Sequence, residues 1–193
     1  MVDDELPARL TRVKDAQNWQ IGTDTEVAWI RDSTVVGLTI TSAIPPMFDA
    51  YATIVVPGDR DERSRHDQAL LAILSDQPSA QPWWLGYLDT GADDVVFHDV
   101  PKVTLYTGWP YVFVEAGPPQ AASWKDASSW RGPMPDVIFP ADHSWLLSTL
   151  WDDEWRCIGG PADLIEQLGR DDNVETRVVR FGDDATPPGH RAY

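Results

Sequence analysis

At 193 residues the chain suits one domain able to bury a real core. Its 31 acidic residues against 15 basic ones give a formal net charge of −16. That balance opposes binding to nucleic-acid backbones, which needs clustered Lys and Arg, and opposes docking on anionic membranes. The single cysteine, Cys157, excludes an intramolecular disulfide and a thiolate zinc cluster.

The N-terminal run MVDDELPARL is acidic and lacks the apolar core of a signal peptide, and no segment approaches the ~20 apolar residues of a membrane helix. The expectation is a cytoplasmic protein. Residues 3–18 read as an entry helix with Leu6, Leu10 and Val13 on one stripe. Thr25–Ile30 reads as a strand with Val27 and Trp29 on one face, and Thr34–Thr41 as its β-branched return, stopped by Ile44-Pro45-Pro46. Phe48–Val56 alternates as a further strand; Pro57–Arg65 is a charged connection, and His66–Leu74 carries the Leu70, Ile73, Leu74 stripe of a helix. Trp83–Leu88 is a strand running into the acidic loop Asp89–Asp94. Lys102–Leu105 and Trp109–Glu115 are strands around Thr107-Gly108, and a short helix falls within Pro118–Trp130 before the loop Arg131–Pro135.

The most informative run is Phe139–Leu168. In extended form Trp145, Leu147, Thr149 and Trp151 share one face; Asp152-Asp153-Glu154 make a turn, and Trp155–Ile158 return as a second strand. Gly159-Gly160 reads as a break, Pro161 as a helix start, Leu164, Ile165 and Leu168 as its apolar face, and Gly169 as its stop. Thr176–Phe181 is a last strand. Strands outnumber helices and follow one another through short turns, which predicts an α+β fold: a single domain over 1–182, a mixed or mainly antiparallel sheet with a few packed helices, and a flexible tail over 183–193.

Two acidic loops attract attention: Asp89, Asp93, Asp94, His98 and Asp99 in one, Asp142, His143 and Asp152–Glu154 in the other. Carboxylates beside imidazole suit a cation or acid–base work, but the spacing lacks the mid-loop glycine and closing Glu of a calcium loop. Solvated turns are the simpler reading, and no metal and no cofactor are expected. Asp142-His143-Ser144 holds triad residue types, yet neighbours in an extended chain point to opposite faces. Cys157, in an apolar strand, reads as a packed thiol. Eight of the ten tryptophans, from Trp83 to Trp155, are more than a domain this size ordinarily needs inside, and aromatics amid carboxylates make up typical binding surfaces; a core-only role stands beside that reading.

The stretches Trp83–Gly117 and Phe139–Gly160 resemble a group of actinobacterial proteins. The overall character, a small acidic Trp-rich domain, is similar to immunity proteins of bacterial polymorphic toxin systems, the Smi1/Knr4-like ones included. The resemblance implies a protein-binding role and carries no catalytic residue.

The leading expectation is therefore an acidic protein-binding domain that meets a basic partner, such as a toxin. Asp89, Asp93, Asp94, Asp152, Asp153 and Glu154 would pair with its Arg and Lys, and Trp84, Trp109, Trp151 and Trp155 would serve as anchors. The alternatives are a hydrolase or transferase using Asp94, His98, His143 or Asp152 in an acidic–aromatic pocket, and an accessory protein whose carboxylates mimic nucleic acid.

Overall fold

Residues expected as the first strand form a helix instead, α1 (Asp24–Arg31), and the cause is local. The Thr23 side chain accepts the Thr25 N–H at 3.3 Å, while Glu26 reaches back to accept the Thr23 N–H at 2.6 Å. This capping box satisfies amide protons that a helix start leaves unpaired, and it turns Val27 and Ile30 inward together. The computed structural model describes residues 19–78, 82–91, 96–97, 99–125, 132–150 and 153–191. The entry helix expected over 3–18 lies outside them.

The described residues form one antiparallel eight-stranded sheet in the order β3-β4-β2-β5-β6-β7-β1-β8. In chain order the strands are β1 (Ala50–Val55), β2 (Trp83–Leu88), β3 (Val103–Leu105), β4 (Trp109–Ala116), β5 (Val137–Pro140), β6 (Leu146–Ser148), β7 (Trp155–Gly160) and β8 (Thr176–Val179). The helices are α2 (Arg60–Ser75), α3 (Pro118–Ala121) and α4 (Ala162–Leu168), with a 3₁₀ turn at Ile40–Ser42. This is an α+β fold built on a single sheet.

Both faces of the sheet are covered, which explains why its strands read as near-continuous apolar runs. On one face Ile54, Trp83, Leu85, Val114, Leu147 and Ile158 pack with Leu70 and Leu74 of α2 and with Leu164 and Leu168 of α4. On the other, Tyr51, Trp84, Phe113, Phe139, Leu146 and Trp155 pack with Val27 and Ile30 of α1 and with Ile40 and Ile44. Alternation along β2 thus sends Trp83 into one core and Trp84 into the other.

Several expectations are corrected. The run 34–41 forms only an isolated bridge, Thr39 with Asp184, followed by the 3₁₀ turn; Val35, Val36 and Leu38 remain exposed. β5 was not anticipated, although all of its residues are buried between β2 and β6. Helix α2 starts at Arg60 rather than His66, because Asp59 accepts the N–H groups of Asp61 and Glu62 at 2.9 and 3.0 Å. Gly159 and Gly160 do not break β7 but belong to it. A Cβ at Gly159 would stand 2.5 Å from Phe48 and 2.6 Å from Ile44, so the absent side chain is what lets that layer close onto the strand. Within the segment expected as a flexible tail, residues 184–186 are tied down: Ala185 is buried and its N–H donates to the Leu38 carbonyl, while Arg177 donates to the carbonyls of Thr186 and Asp184.

Candidate functional site

The β6–β7 connection divides two concave surfaces. Thr149, Asp153, Glu154 and Arg156 line a charged cleft of about 370 Å³, while Leu150 lines an apolar groove of about 340 Å³. Backbone bonds fix the connection: the Thr149 N–H donates to the Asp136 carbonyl at 2.7 Å, and the Val56 N–H to the Glu154 carbonyl at 3.3 Å.

The cleft is walled by the end of β1 and its loop (Val55 to Gly58), by Arg63 of α2, by Met134 to Asp136 and by His190. Two buried ion pairs stand behind it. Arg156 Nη1 donates to Asp67 Oδ1 at 2.9 Å, and Lys125 Nζ lies 3.3 Å from Asp136 Oδ2. Asp67 and Lys125 also line a second cavity, of about 400 Å³, between α2 and the segment after α3, with Arg63 on its wall as well. The two pairs therefore run between two cavities. Desolvating such charges costs several kcal/mol per ion, and apolar packing of the same volume would be at least as stable. Arg63 is fixed by its Nε donating to the Pro57 carbonyl at 2.9 Å and its Nη2 to the Gly58 carbonyl at 3.2 Å. At the rim, Glu154 Oε2 lies 3.6 Å from His190 Nδ1.

The groove lies against the opposite core, lined by Thr34 to Gly37, Ser42, Tyr106, Thr107, Trp109, Tyr111 and Leu150. Tyr106, in the β3–β4 turn, holds a φ of +53°, a left-handed conformation costly for an aromatic residue. Its hydroxyl offsets that strain, lying 2.6 Å from Ser148 Oγ and donating to the Ala43 carbonyl at 3.3 Å. Burial raises the Tyr106 pKa, so the phenol stays protonated. Trp109 is half-buried, and Val35 and Val36 are 59% and 84% exposed on the rim.

The anticipated site residues fare differently. Trp84 and Trp155 are buried in the α1-side core and are not surface anchors, because alternation in β2 and β7 turns both inward. Asp89 is buried and paired with Lys102 at 3.1 Å, and also accepts the Gly91 N–H, so it closes its own loop. Asp153 is buried against the cleft, and its charge adds to burial in raising the Cys157 pKa. Glu154 is exposed, and Trp109 opens onto the groove. Asp93, Asp94, Asp152, Trp151 and His98 lie outside the described residues. His143 stacks on Trp29 at 4.4 Å with φ +56°, and Asp142 accepts the Ser144 N–H, so these triad residue types make local contacts. Among the described residues no three His, Cys, Asp or Glu side chains gather to hold a metal ion, and no helix is long and apolar enough to cross a membrane.

The sequence reading missed Arg156, Asp67, Asp136 and Lys125. A signal existed: Arg156 is a charge inside the apolar strand WRCIGG, and a buried charge is far more informative than an exposed one. The comparisons with protein-family models, with curated proteins and with solved structures found no match.

Proposed function

We propose that this chain is a protein-binding domain for a basic partner, of the immunity-protein kind, with the groove around Trp109 as its contact surface. The observation that carries the reading is the groove itself. A half-buried Trp109, a Tyr106 held in a strained backbone and the exposed Val35 and Val36 line an apolar groove in a chain with net charge −16. Aromatic anchors within an apolar patch supply affinity, and the surrounding negative field selects a basic partner and speeds its approach.

The test compares wild-type protein, Trp109→Ala and Val36→Ser, each immobilised and exposed to lysate of the native cell, with washes of rising salt. A basic protein held by wild type at low salt, released at high salt and lost from both variants is the expected result. Val36 is exposed, so its replacement leaves the fold intact even where Trp109→Ala does not. An empty wild-type column, or the same proteins on all three, overturns the proposal.

A further inference from the structure

We infer that the free edge of the sheet, strand β8, is a homodimer interface at which two copies of this chain pair antiparallel about Val178. β8 ends the strand order, and no described strand pairs with its outer side. The phase of its inner ladder fixes what that side offers. The Val55 N–H donates to the Glu175 carbonyl at 3.0 Å, and the register Thr53↔Arg177 and Tyr51↔Val179 carries the same bonded phase along β1. In a planar trans peptide the N–H points opposite to the C=O. The N–H groups of Thr176, Val178 and Arg180 and the carbonyls of Thr176 and Val178 therefore face outward. None of these groups bonds to another described residue, while the Arg180 carbonyl accepts the Asp183 N–H. Val178 is 66% exposed, and Phe181, just beyond the strand, 65%.

A second β8 fits this edge through its own two-fold symmetry. With Val178 opposite Val178, the two residues exchange N–H···O bonds, and each Arg180 N–H meets the Thr176 carbonyl of the other copy. The paired valines lie on the sheet face where Ala52, the β1 neighbour of Val178, is buried, so the apolar layer of that face runs on from one copy into the next. Charge selects the register. Centring on Arg177 or Arg180 would set two guanidiniums directly opposite each other, whereas centring on Val178 sets Arg177 opposite Val179 and Arg180 opposite Thr176. Charge also favours the place: residues 175–181 carry one acid, Glu175, against Arg177 and Arg180, in a chain of net charge −16, so a second acidic copy is least repelled here. Sheet edges that avoid pairing carry proline, a bulge or a central charge. β8 pairs with β1 in unbroken register, contains no proline and has valine at the centre of its outer side.

Sedimentation equilibrium at up to about 1 mM protein, in about 0.15 M salt to screen the net charge, tests the pairing. Wild type is expected to dimerise, and amide hydrogen exchange at Thr176, Val178 and Arg180 to slow as concentration rises. Val178→Pro removes an N–H that faces away from β1, so the inner ladder keeps its bonds while the dimer dissociation constant rises about tenfold or more. Val178→Lys changes a side chain exposed in the single copy and sets like charges opposite each other across the two-fold; it should weaken the dimer by as much, whether or not the proline variant folds. Val36→Ser, in the groove, should leave the dimer unchanged. A wild-type protein that stays monomeric at every concentration overturns the inference. So does a dimer that survives Val178→Lys, or one lost in Val36→Ser. The groove reading is tested separately, by capture of its basic partner.

Discussion

His66 should make the fold acid-sensitive in a pH range where few carboxylates titrate. The residue sits on α2, 1% exposed, with Nδ1 3.2 Å from the Asn173 carbonyl. A carbonyl can only accept, so Nδ1 carries the proton of the neutral ring, and Nε2 is buried without a partner. Burial, then the positive charge of Arg156, brings its pKa down to about 4; Asp67 and the Asn173 bond act in the opposite sense, and Arg63 lowers it further. In the unfolded chain the ring titrates near its ordinary value of 6.5. Between those values the unfolded state holds a proton that the folded state refuses. The stability contribution is therefore complete above about pH 6.5 and is lost as pH falls towards 4. A gap of about 2.5 pH units is worth roughly 3 kcal/mol in full, of which about 2 kcal/mol has gone by pH 5. The assay is urea denaturation at pH 7.5, 6 and 5 for wild type and for His66→Gln, which has no ionisable ring. Wild type should lose about 2 kcal/mol more than the variant on going from neutral pH to pH 5. The other histidines and all the carboxylates are common to both proteins, so their contributions cancel. Equal pH slopes in the two proteins would refute the reasoning.

Two further perturbations test the packing around β7. Gly159→Ala forces a methyl group into Phe48 and Ile44, and should cost about 1–3 kcal/mol in urea denaturation; a variant as stable as wild type would show that this layer gives way easily. Cys157 is buried, and its pKa is raised by burial and then by the charge of Asp153, so the thiolate that reacts is scarce. Alkylation by iodoacetamide should be slow in the native protein and fast in urea, and equal rates would contradict the assigned burial.

The elements legible in the sequence were those whose pattern agrees with their tertiary role. β2, β4 and the β6–β7 pair are apolar runs punctuated by turns, and α4 shows its Leu164, Ile165, Leu168 stripe. Where the reading failed, two local signals competed. Val27 and Trp29 satisfy a strand period over a window too short to separate strand from helix, whereas the Thr23–Glu26 capping box decides for helix. The β-branched run 34–41 has strand composition, but its Val35, Val36 and Leu38 cover no apolar surface, and β propensity without a packing partner does not make a strand. Trp84 and Trp155 sit beside acidic loops in the sequence, as interface aromatics do, but the covering of the sheet's second face claims both for the core.

The same distinction governs the site. An exposed carboxylate in a turn, such as Glu154, reads identically whether it meets a partner or only water, so the acidic loops announced a charge and nothing about its use. A charge on a core stripe is different. Asp67 precedes Leu70, Leu71 and Leu74 at helical spacings three, four and seven residues on, and Arg156 sits one residue from Cys157 and two from Ile158 in a buried strand. Each breaks an apolar pattern at a position the fold must bury, and burial is tolerable only if the two meet. Each therefore needed a buried partner of opposite charge. What the sequence could not convey is that the contact is made through one nitrogen and one oxygen, on an arginine that lines an open cleft. That geometry depends on where β1, β5 and β7 end relative to one another, a property of the sheet's register and of no single segment.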